Sequence, residues 1–202
     1  MRWPHLHQPG RAAPRALASP RASAMTFRLC TLPRNAVALL SLAGTLAVSA
    51  ETVSSASTCG LPDFAATALA RINEARARGA DCGSGGCFGP APPVAWSDKL
   101  AQAADAHARE MVARDVLSHA GANGRMVDDR VDAAGYDWAS VAENIAGGYA
   151  SIDAVVAGWV KSPSHCRNLM SPTLSDAGLA CVPGRAASTY PNYWALNLGR
   201  QR

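Results

Sequence analysis

Five cysteines, Cys59, Cys82, Cys87, Cys166 and Cys181, follow a segment that carries the marks of an export signal, and this combination constrains the fold most. Arg28 and Arg34 lie beside a short apolar run, Ala36 to Val48, which closes on Val48-Ser49-Ala50. A basic region, an apolar middle and a small-x-small end are the parts of a cleavable signal peptide. The run is shorter than the ~20 residues of a membrane span, so cleavage after Ala50 and no stable span afterwards are expected. Residues 1–24 are rich in Pro, Ala and Arg and aperiodic, which points to Met25 as the true start. The expected organisation is a leader over 1–50, a linker over 51–60 and one domain over 61–202, in a secreted or periplasmic protein.

In an oxidising compartment the cysteines are disulfide candidates before they are metal or catalytic residues. Cys30 leaves with the leader, and five is an odd number. The expected main bond is Cys166–Cys181, which encloses the 14 residues 167–180. A loop of that size stabilises by about 3 kcal/mol in the chain-entropy picture. Cys59–Cys82 would bracket the first helix and leave Cys87 free. The alternative is Cys82–Cys87 with Cys59 free.

Charge excludes one class of partner. The chain has 19 Lys and Arg against 15 Asp and Glu, but six of the arginines and none of the acids fall in residues 1–50, leaving 13 against 15. The body is near neutral and has no basic stripe for phosphate backbones, so nucleic acid is not an expected partner. The sequence does not indicate an oligomeric state.

Along the body, helical patterns come first and strand patterns near the end. Asp63 is placed to cap a helix through about Arg78 that ends at Gly79. Residues 81–93 are a Gly/Pro-rich loop. Ser97 caps a second helix whose apolar stripe runs Leu100, Ala104, His107, Ala108, Met111. A short helix is expected over 126–134. Residues 135–149 read as loop and tight turn, because they are rich in glycine. A helix capped near Ser151 carries Val155, Val156, Trp159 and Val160, and Pro163 stops it. The stretches 177–182 and 192–199 read as strands. This order indicates an α+β fold.

Three histidines remain beyond the leader: His107, His119 and His165. His107 lies on an apolar helical stripe and reads as a structural histidine. His119 and His165 sit in stretches dense in Ser, Gly and Asn, where functional residues tend to lie. "SHAGANG" (118–124), "DDRVDAAGYDW" (128–138), "AENIA" (142–146), and "GWVKSPSHCRNLMSP" (158–172) running on to "DAGLAC" (176–181) occur in that order. The set resembles a bacterial member of the CAP superfamily, which comprises the cysteine-rich secretory proteins, venom antigens and plant pathogenesis-related proteins. The likeness runs from about Phe64 to Gly199.

The resemblance implies a single-domain, three-layer α-β-α sandwich with a surface cleft lined by two histidines and two acids. His119 matches the first histidine, Glu143 the first acid and His165 the second histidine. The second acid is expected three residues after Trp159, where this chain has Ser162. Ala142 and Ser164 also stand where glycine is usual. Members of the superfamily are credited with lipid or sterol binding, antimicrobial activity, channel block and, rarely, proteolysis, so the fold implies no common reaction.

Two functions are weighed. One is a binding module. His119, His165 and Glu143 suit a divalent cation such as Zn2+, weakly held because the second acid is missing, and the cleft could take a small lipid or cell-envelope ligand instead. The other is a hydrolase of the envelope, using metal-bound water or Ser118 or Ser164 with a histidine. The chain lacks a Gly-x-Ser-x-Gly elbow and a His-Glu-x-x-His motif. No catalytic residue is assigned.

Overall fold

The computed structural model describes residues 58–202. The leader, the Ala50 cleavage site and Met25 lie outside the described residues. Helix α1 is Phe64–Arg78 and helix α2 is Asp98–Arg114. Between them lie the short strands β1 (Ala80–Asp81), β2 (Cys87–Phe88) and β3 (Ala95–Trp96). Helix α3 (Val127–Ala133), strand β4 (Trp138–Gly147), helices α4 (Ile152–Val160) and α5 (Pro163–Met170), and strands β5 (Asp176–Pro183) and β6 (Asn192–Gln201) follow. The main sheet runs β3-β5-β6-β4, with β4, β6 and β5 antiparallel and β3 parallel to β5. β1 and β2 form a separate antiparallel pair.

Of the three caps expected from the sequence, Ser97 and Ser151 form and Asp63 does not. Ser97 Oγ accepts the Leu100 N–H (3.4 Å) and Ser151 Oγ accepts the Ala154 N–H (3.2 Å). Asp63 does begin α1, but in a left-handed conformation and without a side-chain cap bond.

β5 and β6 are buried on both faces, so they read as nearly continuous apolar runs. Alternate residues face opposite layers. Leu179, Cys181, Trp194, Leu196 and Leu198 pack with Phe64, Ile72, Val155 and Trp159 of α1 and α4. Ala180, Val182, Tyr193 and Ala195 pack with Ala104, Ala108, Met111 and Val112 of α2. The result is the α-β-α sandwich. Gly178 lets α2 lie close on the sheet, because a Cβ there would run into the Leu100–Ala101 backbone. Among the described residues no helix is long and apolar enough to cross a membrane.

Two expectations about secondary structure are corrected. Residues 138–147, read as loop, form β4 at the sheet edge. Glycine content misled there, because the glycines stand at the strand's ends and its middle alternates between two layers. The carbonyls of Glu143 and Ile145 are taken by Asn168 Nδ2 and Trp159 Nε1, both at 3.2 Å. Helices α4 and α5 thus cover this strand's edge. Pro163 does end α4, but it also opens α5 as a first-turn proline. His165 therefore lies in a helix and not in an irregular stretch.

The disulfide pairing is also corrected. The bonds are Cys59–Cys181, with Cα atoms 5.3 Å apart, and Cys82–Cys166, at 5.5 Å. Cys181 points into the α1/α4 layer. The chain entering α1 lies there, with Cys59 N–H donating to Cys181 O at 3.0 Å. Cys166 faces the buried cluster with Cys82, Ala91 and Met170, so it cannot reach Cys181. Cys87, expected to be free, is disulfide-bonded as well.

Candidate functional site

β4 organises the site because adjacent residues on a strand point to opposite faces. Glu143 faces the α2 and α3 side, and Asn144 faces the α5 side. Glu143 Oε1 is 2.8 Å from His119 Nδ1, and Glu143 Oε2 accepts from Arg130 Nη2 at 2.6 Å. Asn144 Nδ2 donates to the His165 carbonyl at 3.0 Å. Asn168 Nδ2 donates to Asn144 Oδ1 (3.0 Å) and to Glu143 O. The strand's edge therefore draws both histidine segments to one place, although they come from opposite layers.

The loop bearing His119 is gripped residue by residue from α2. His107 Nε2 is 2.9 Å from the Ser118 carbonyl, Arg114 Nη1 donates to Ala120 O (3.0 Å), and the Ala122 N–H donates to Glu110. His107, Glu110 and Arg114 share one helical face. His107 is fully buried, as a structural histidine should be.

The electrostatics follow from this packing. Burial alone would raise the Glu143 carboxyl. The hydrogen bond from His119, the neighbouring His107 and Arg130 outweigh that and hold it below the ordinary range. Burial lowers His107. Burial also lowers His165, and His119 beside it adds to the effect.

A carboxylate only accepts, so His119 Nδ1 is the donor, and in the neutral ring Nε2 carries the free lone pair. The His119 side chain is 47% exposed, whereas that of Glu143 is 3% exposed. Both Glu143 oxygens are engaged within the protein. Among the described residues no group of three or more His, Cys, Asp and Glu side chains could hold a metal ion. The donors left for a cation are the two imidazoles, with Glu143 behind His119. Ser118 Oγ accepts the Ala120 N–H (3.1 Å). Among the described residues no serine hydroxyl is hydrogen-bonded to His119 or His165.

Two buried arginines escaped the sequence reading. Arg130 lay inside a quoted motif but had no assigned role. Its signal was a long cation in the same short helix as the buried Val131. Arg76 donates to the carbonyls of Pro92, Leu169, Ser171 and Leu174 at 2.7–3.0 Å and so fastens the end of α5.

A concavity of about 410 Å³ lies between α1 and α4. It is lined by Ala75, Val156, Ala157 and Val160 together with the charged residues Arg71, Glu74, Arg78, Asp153 and Lys161. His119, Glu143 and His165 do not line it.

The sequence model described as the cysteine-rich secretory protein family matches residues 69–198. An extracellular protein containing an SCP domain from Bacillus anthracis superposes with a TM-score of 0.51 at 20% identity, over 70% of this chain and 44% of that one. A cysteine-rich secretory protein from Staphylococcus aureus gives 0.50 at 14% identity, over 69% and 39%. The matched region thus spans less than half of either relative. No curated protein matches the sequence. The family match covers most of the chain, and the chain belongs to the cysteine-rich secretory protein family.

Proposed function

We propose that this chain is an exported binding module whose cleft takes a divalent cation such as zinc through the imidazoles of His119 and His165. The observation that carries this reading is the His119 Nδ1–Glu143 Oε1 hydrogen bond of 2.8 Å. It backs an exposed imidazole with a buried carboxylate, the arrangement that orients metal-binding histidines and raises their basicity. Two protein donors are fewer than the three of typical open zinc sites, so binding is weak and exchangeable. Export is supported by the disulfides, which form and persist in oxidising compartments. Calorimetry with zinc tests the cation reading. The parent binds and His119→Ala with His165→Ala does not; equal isotherms would refute it.

The groove between α1 and α4 supports a second reading, for a small lipid ligand. Its apolar residues suit a hydrocarbon chain, and Lys161 is the lining cation left for an acidic head group, because Arg71 and Arg78 are paired with Glu74 and Asp153. Ala157 is exposed, so Ala157→Trp should fill the groove without disturbing the core. Loss of fatty-acid binding in that variant is expected. Undiminished binding would move the ligand elsewhere.

A further inference from the structure

Arg130 is buried in α3, where its guanidinium makes three hydrogen bonds. Nη1 donates to the Arg125 carbonyl (2.8 Å), and Nη2 donates to the His119 carbonyl (3.2 Å) and to Glu143 Oε2 (2.6 Å). The side chains of Arg130 and Glu143 are 4% and 3% exposed. One arginine therefore holds both the backbone of His119 and the group that receives its ring proton. No other cation donates to Glu143 Oε2 among the described residues. His107 Nε2 stands 3.8 Å from Oε1, but its N–H is directed at the Ser118 carbonyl.

We infer that Arg130 is a positioning residue for His119, fixing through Glu143 the tautomer that presents Nε2 to the cleft. A guanidinium only donates, so whatever atom it meets at position 143 must accept. In the parent both carboxylate oxygens accept, and His119 Nδ1 keeps its proton. The tautomer does not depend on whether the cleft binds a cation. Its consequence for zinc rests on the function proposed above.

Glu143→Gln then has an unusual outcome. The amide has one acceptor and one donor end. If Arg130 controls the site, the amide oxygen turns to Arg130 and the NH2 turns to His119. His119 must then accept at Nδ1 and carry its proton on Nε2. Adding Arg130→Met releases the amide, whose oxygen can return to His119.

The experiment is nitrogen-15 NMR of the imidazoles above pH 7, on parent, Glu143→Gln and the double variant, with amide spectra as a check of folding. The parent should show His119 protonated at Nδ1. Glu143→Gln should show it mostly at Nε2, and the double variant should move back toward Nδ1. Zinc affinity should fall by ~10–100-fold in Glu143→Gln, the usual scale for losing the partner behind a ligand. A folded Glu143→Gln that keeps the proton on Nδ1 overturns the assignment. If the double variant fails to fold, Glu143→Gln alone decides. A parent that binds no zinc but shows the inversion retains the role of Arg130 and removes the cation reading.

Discussion

The side-chain amide of Asn144 holds the carbonyl of His165 at 3.0 Å, one residue along β4 from the carboxylate that holds His119. Two neighbouring residues thus position both cleft histidines, one on each side of the sheet edge. Asn144 is fully buried, and Asn168 donates to its Oδ1. Asn144→Leu keeps the number of side-chain heavy atoms and removes both bonds, while Asn168 Nδ2 keeps its bond to the Glu143 carbonyl. It should cost about 1–3 kcal/mol in urea denaturation and weaken zinc binding by loosening α5. A variant as stable as the parent would show that these bonds contribute nothing net.

The histidines themselves should be nearly dispensable for folding. His119 is half exposed and packs little apolar surface. His119→Ala should change unfolding free energy by less than about 1 kcal/mol, within the range of surface substitutions, while abolishing zinc binding. Its loss of binding together with a large loss of stability would mean that the ring braces the loop and does not serve a ligand.

Much of this was legible beforehand, and the failures share a cause. The ordered motifs singled out His119, Glu143 and His165, and of these only His119 lies in a loop, whereas Glu143 is in the middle of β4 and His165 is in the first turn of α5. Strand β4 was missed because it is an edge strand with polar residues, and its partners Trp159 and Asn168 are distant in sequence. The cysteine pairing was missed for a related reason. Cys166 and Cys181 are close along the chain but face different clusters, and sequence spacing does not reveal which face a residue occupies.

The observed pairing carries its own prediction. Cys59–Cys181 and Cys82–Cys166 span 122 and 84 residues, far more than the loop expected from spacing. Longer loops restrict the unfolded chain more, with an upper limit near ~5 kcal/mol and losses of ~2–5 kcal/mol on removal. Cys59→Ser with Cys181→Ser should lower stability on that scale. Non-reducing peptide mapping of the parent should recover Cys82 joined to Cys166. Recovery of Cys166 joined to Cys181 would contradict the fold as described.

Stability should also depend on pH through His107. Burial lowers its proton affinity in the folded state, and its Nδ1 has no hydrogen-bond partner. Unfolded, the same ring takes a proton near the reference value of about 6.5. Between that value and the lower folded one, the unfolded chain binds more protons than the native protein, so stability falls as pH falls. Above about 7 both states are neutral and the slope vanishes. His165, lowered by burial and by His119, acts in the same direction. Each group adds at most about 1.4 kcal/mol per pH unit inside its window. Glu143 adds a further loss at more acid pH, because its depressed carboxyl stabilises above the ordinary Glu range and ceases to do so once protonated. In His107→Gln the amide can still donate to the Ser118 carbonyl but does not titrate. Urea denaturation from pH 5 to 8 should therefore show a shallower slope for His107→Gln than for the parent. Parallel curves would place the acid sensitivity elsewhere.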